Sequence, residues 1–90
     1  MTIIARIPGS LKEWFDGSEE AVIDGKTVGE CIDQLDNKFS GLRSRLIDKN
    51  GEMSAVLIFL NGENIVNLNG LETDVADGDE LGIIPLAAGG

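Results

Sequence analysis

Apolar residues recur along this chain with two different spacings, and the change from one to the other divides it into elements. Residues 2–7 are rich in β-branched types, with Ile3, Ala5 and Ile7 on one parity, which predicts a first strand. Pro8-Gly9-Ser10 breaks it, and residues 11–17 then read as a loop, even though they carry Trp14 and Phe15. Those aromatics are expected to lap over an edge of the core, given their large apolar area. Residues 19–23 form a second short strand, joined to the first as a long-looped hairpin. The period then becomes helical. Val28, Cys31, Ile32, Leu35 and Phe39 share one face, and Thr27 with Glu30 three residues later makes a capping box at its start. Ser40-Gly41 interrupts this helix, and residues 42–47 predict a further short helical turn before the loop Asp48-Lys49-Asn50-Gly51.

Residues 55–60 are apolar on both parities, which places them inside a sheet. Asn61-Gly62 is a strong hairpin turn, leading to a short strand around Asn64-Ile65-Val66 and then an irregular segment over 67–76. Asp77-Gly78-Asp79 turns the chain into a last strand, residues 80–84, with Leu81 and Ile83 on one parity and Gly82 and Ile84 on the other. A single main helix covers one sheet face only. Leu57, Phe59 and Ile84 are therefore expected to form an exposed apolar patch that docks a partner.

Ninety residues make one small domain with a single modest core. The formal net charge of −9 argues against nucleic acid and anionic membrane surfaces, and favours a basic protein surface as the complement. No stretch reaches the ~18 apolar residues of a membrane span, and residues 1–6 lack the pattern of a signal peptide. The chain is accordingly read as cytosolic, and as a monomer when free. It has no histidine, no tyrosine and one cysteine, so triads, Cys-His pairs, zinc-finger sets and cysteine-ligated clusters are excluded within it. No catalytic residue and no metal site is assigned. Cys31 lies in the helix's apolar stripe and reads as a small buried hydrophobe. Arg43 and Arg45 read as partners of local carboxylates.

The closing stretch differs from everything before it. Pro85 biases Ile84 towards an extended conformation and ends the last strand. Leu86-Ala87-Ala88-Gly89-Gly90 then forms a narrow stem, which extends to roughly 17 Å and can enter a partner's active site. Glycine suits such threading because it has no Cβ to obstruct the approach. The division is thus a domain over 1–85 and a flexible tail over 86–90.

The element order, the Asp77-Gly78-Asp79 turn, Pro85 and the final Ala88-Gly89-Gly90 resemble the MoaD/ThiS family of ubiquitin-like sulfur carriers across nearly the whole chain. Within that family, the runs Gly25-Lys26-Thr27-Val28-Gly29, Phe39-Ser40-Gly41-Leu42, Arg45-Leu46-Ile47-Asp48 and Ile84 to Gly90 are most similar to the carriers serving cysteine biosynthesis. Leu57 departs from the pattern, standing where a more polar residue is expected. The resemblance implies an α+β, ubiquitin-like β-grasp fold, a mixed sheet of four to five strands on one main helix. It also implies that the chain is not itself an enzyme. An E1-like adenylyltransferase would use ATP and magnesium to activate Gly90, a sulfur donor would displace AMP, and the resulting thiocarboxylate would pass sulfur to an accepting synthase. Gly90 is then the attachment point, Gly89, Ala88 and Ala87 keep the stem narrow, and Leu86 anchors its base. The acceptor is either a cysteine synthase homologue or, if the chain is the small subunit of molybdopterin synthase, that enzyme's large subunit. Two other classes remain: a protein modifier joined through Gly90 to target lysines, and a binding module with an idle tail.

Overall fold

A computed structural model describes residues 2–51 and 56–86. Five strands form one mixed sheet: β1 (Thr2–Arg6), β2 (Glu20–Asp24), β3 (Val56–Leu60), β4 (Glu63–Asn64) and β5 (Glu80–Pro85), in the order β2-β1-β5-β3-β4. β5 occupies the centre, parallel to β1 and antiparallel to β3. Helix α1 (Val28–Lys38) lies across one face, and a short α2 (Leu42–Leu46) follows it. This is the expected ubiquitin-like β-grasp arrangement, in which the last strand enters the middle of the sheet beside the first.

The period-2 and period-3.6 stripes meet in a single core. Ile3, Ala5, Ile58, Leu81 and Ile83 on the sheet pack with Val28, Cys31, Ile32 and Leu35 of α1, all nearly inaccessible to solvent. α1 starts where Thr27 Oγ1 accepts the Glu30 N–H at 3.2 Å, a bond that satisfies one of the donors left free in a first helical turn. The reciprocal half of the capping box shifts by one residue, because Glu30 Oε1 accepts from the N–H of Lys26, not Thr27. At the other end, Phe39 meets Phe15 edge-on at 5.2 Å between ring centroids. Such pairs are favoured by the ring quadrupoles.

Several expectations are corrected. The stretch read as a loop contains a 3-10 helix, Gly9–Phe15, which swings Phe15 fully into the core and leaves Trp14 half-buried against it. Arg43 does pair with a carboxylate, Asp33, at 2.6 Å, but Arg45 lies over the Trp14 ring at 5.5 Å, a cation–π contact. The strand expected around Asn64-Ile65-Val66 is only Glu63–Asn64. Asn64 Oδ1 accepts the Val66 N–H at 3.0 Å and starts a 3-10 turn, Ile65–Asn67, in place of more strand. A second such turn, Gly70–Glu72, lies in the segment read as irregular.

Candidate functional site

The site is built on the sheet face that α1 does not cover. Alternation along β3 buries Val56, Ile58 and Leu60 and turns the half-buried Leu57 and Phe59 outward. Along β5, Leu81 and Ile83 point into the core while Ile84, 44% exposed, points out. The antiparallel register sets Leu57 opposite Ile84 and Phe59 opposite Gly82. All three residues named from parity thus lie together on one face. Leu57, the departure from the family pattern, continues the apolar surface of Ile84.

Two turns hold this register. Asn61 and Gly62 both have positive φ, 49° and 89°, as a type I′ hairpin requires, and only the first carries a side chain. That side chain is used: Asn61 Oδ1 accepts the Glu80 N–H at 2.9 Å, and Asn61 Nδ2 donates to Asp79 Oδ1 at 3.0 Å. Asp79 Oδ2 accepts from the Ala76 N–H, and Asp77 Oδ1 from the Thr2 N–H, both at 2.7 Å. The acidic turn before β5 therefore ties the final strand to β1 on one side and to the β3–β4 hairpin on the other.

Next to the apolar residues, Arg6 on β1 is held between two carboxylates. Its guanidinium bonds Glu80 Oε1 at 3.1 Å on β5 and pairs with Glu20 on β2. The hydrogen bond to Glu80, then the charges of Glu80 and Glu20, raise the already high pKa of Arg6 further. Parity reasoning about apolar positions missed this group, because it depends on the parallel pairing of β1 with β5.

At the exit of β5, Pro85 still pairs with Val56, and the strand ends there. Leu86 is about half-exposed and borders an apolar groove of about 390 Å³, also lined by Leu57, Ile65, Val66 and Leu71. Ala87, Ala88, Gly89 and Gly90 lie outside the described residues. Among the described residues no cluster of His, Cys, Asp or Glu is arranged to hold a metal, and no helix is long and apolar enough to cross a membrane. Cys31 is buried on α1, as its stripe position implied.

Comparison with known proteins agrees with this architecture. The chain is 34% identical, in a 93-residue alignment spanning all of both proteins, to the sulfur carrier protein CysO of Mycobacterium tuberculosis. It is 36% identical over 69 residues to the small archaeal modifier protein 3 of Haloferax volcanii, covering 77% of this chain and 75% of that protein. A chain in the crystal structure of the Amycolatopsis orientalis BexX/CysO complex superposes with a TM-score of 0.89 at 32% identity, covering 98% of this chain and 99% of that one. With residues 5–90 matching the ThiS family, through the central strand and on to the last glycine, this chain belongs to that family.

Proposed function

We propose that this protein is a sulfur carrier whose C-terminal glycine, Gly90, is adenylated by an E1-like enzyme and converted to a thiocarboxylate that donates sulfur in the biosynthesis of cysteine or a related metabolite. The observation that carries this reading is the full-length correspondence with a sulfur carrier protein, with no part of either chain left over. A carboxylate is a poor electrophile. Transfer of AMP from ATP to the Gly90 carboxylate, with loss of pyrophosphate, makes an acyl-adenylate; a sulfide-level donor then attacks the carbonyl carbon and AMP leaves. ATP, magnesium and the catalytic groups belong to the activating enzyme. The carrier contributes the reacting end, a stem without bulk, and the open face of Leu57, Phe59 and Ile84 as the surface on which the enzyme docks. The Amycolatopsis CysO crystallised as a complex with BexX, which supports a carrier that works on a partner protein.

The test is the intact mass after incubation with ATP, the E1-like enzyme and a sulfide source. Wild type should gain the mass of one oxygen exchanged for sulfur. Deleting Gly90 should abolish the gain, because Gly89 then falls up to about 3.5 Å short of the activating site. Gly90→Ala keeps the reach but adds a methyl at the reacting end, so conversion should be slower. Neither variant should change the melting temperature. Normal conversion of the truncated protein would falsify the carrier mechanism.

The similarity to an archaeal modifier protein favours a second reading, in which activated Gly90 forms isopeptide bonds to lysines. Higher-mass conjugates on immunoblots, lost when Gly90 is deleted, would establish it.

A further inference from the structure

Neither backbone geometry nor packing accounts for the glycine at position 82. Glycine in the interior of a strand weakens it, through extra chain entropy and a missing side chain, and Gly82 lies in the central strand of this sheet. It is absent from the residues of positive φ, so no left-handed conformation requires it. A Cβ built there would meet Phe59 Cβ at 3.8 Å and the Phe59 carbonyl oxygen at 4.0 Å, both ordinary van der Waals contacts. A Cβ is therefore accommodated there. What the missing side chain leaves is a cleft of about 420 Å³ on the open face, floored by Gly82 and walled by Phe59, Ile84, Arg6 and Glu80.

The register places that cleft between an aromatic ring and an ion-paired group, since Gly82 is flanked by Arg6 on β1 and by Phe59 on β3. Glu20 and Glu80 share the single guanidinium of Arg6, so this row of the sheet keeps one uncompensated negative charge within a chain of net charge −9. Apolar walls in a row that carries one surplus carboxylate together favour a side chain with an aliphatic stem and a cationic head. A purely apolar knob would fill the cleft but desolvate the Arg6–Glu80 pair and bring no positive charge to offset the surplus carboxylate of the row. Arginine meets both demands: its plane packs on an aromatic ring, and its fork matches a carboxylate in a way that a lysine ammonium does not.

We propose that the Gly82 cleft receives an arginine side chain of the activating enzyme, with its stem over Gly82 against Phe59 and its guanidinium at Glu80. This names the chemistry of the docking face and rests on the sulfur-carrier reading above.

The experiment measures KM and kcat for thiocarboxylation of wild type and of Gly82→Val, Gly82→Ala, Glu80→Gln and Glu20→Gln, together with each variant's melting temperature. Gly82→Val should melt no lower than wild type, because valine suits a strand, while its KM rises at least about tenfold with kcat little changed. Glu80→Gln should raise KM and flatten its dependence on salt. Glu20→Gln removes the same charge from the same Arg6 but lies away from the cleft, and should do less. A folded Gly82→Val protein with unchanged KM overturns the proposal. So does a Glu80→Gln effect no larger than that of Glu20→Gln, which would leave an apolar occupant. Should Gly82→Val fail to fold, Gly82→Ala carries the test; if alanine also unfolds the protein, packing explains the glycine and the proposal falls. Failure of wild type itself to be converted is a separate outcome, which removes the sulfur-carrier reading and this proposal with it.

Discussion

Ile58 and Phe59 are neighbours in β3, yet the two faces they occupy obey different rules. Ile58 is 1% exposed within the core cluster between the sheet and α1, and protein interiors are close-packed. Phe59, one position on, is half-buried beside a glycine and an open cleft. On β5 the same contrast separates Ile83 from Ile84. Hydrophobicity alone cannot distinguish the faces, since both parities of both strands carry apolar residues. The difference lies in what the apolar surface is for: one side lowers the free energy of folding, and the other stays open at the cost of solvent-exposed apolar area. On a chain with nine more negative than positive charges, an exposed apolar patch is easier to keep from self-association, because like charges hold copies apart.

The covered face gives the largest effect. Ile58→Ala should cost about 2–5 kcal/mol of folding stability, the range for truncating a fully buried aliphatic side chain and leaving a cavity. Chemical denaturation should show this as a lower midpoint at unchanged slope. A loss of a few tenths of a kcal/mol would mean that the contrast between faces is overstated.

The open face should respond in the opposite way. Phe59→Asp is expected to weaken association with the activating enzyme by ~2 kcal/mol or more, about 30-fold in affinity, while costing the fold far less than Ile58→Ala. Titration calorimetry and thermal melting on the same sample separate the two quantities. If Phe59→Asp unfolds the domain, the outward face is core and the docking surface must be sought elsewhere.

How far sequence reasoning reached depends on the range of the interactions involved. The α1 stripe, its Thr27 cap, the Asn61-Gly62 turn and the inside–outside parity of β3 and β5 follow from spacings of a few residues, and each is found where local rules put it. The 3-10 helix Gly9–Phe15 was not legible, because Pro8-Gly9-Ser10 signals a break and a short 3-10 segment has no long apolar period to announce it. Arg45 reads as a carboxylate partner because charge balance is visible in a sequence, whereas its position over Trp14 is a tertiary contact between residues about thirty positions apart. The outward parity of Gly82 could be read. Its position between Arg6 and Phe59 could not, since the parallel pairing of β1 with β5 joins residues more than seventy positions apart.

The smallest effect belongs to a residue that lies on the covered face and could be mistaken for sulfur chemistry. Cys31 is fully buried on α1, and burial, reinforced by the negative charges of Glu30 and Asp24, pushes its thiol from 9.0 up to about 11. A thiol held in its neutral form is a poor nucleophile. Because the folded-state pKa is raised, the unfolded chain gives up the Cys31 proton first; the stability tied to the neutral thiol is complete below about pH 9 and is lost as pH rises from there through about 11. Cys31→Ala should therefore cost about 1 kcal/mol of packing at neutral pH, and its stability curve should approach that of wild type as pH rises through this window, since alanine has no proton to lose. Denaturant midpoints taken across the window test this, and equal slopes against pH would contradict it. The same variant should be thiocarboxylated and pass its sulfur on at the wild-type rate. Loss of sulfur transfer in a folded Cys31→Ala protein would move the chemistry from Gly90 to a persulfide on α1, and the inside of the sheet, not its open face, would then be the working side of the molecule.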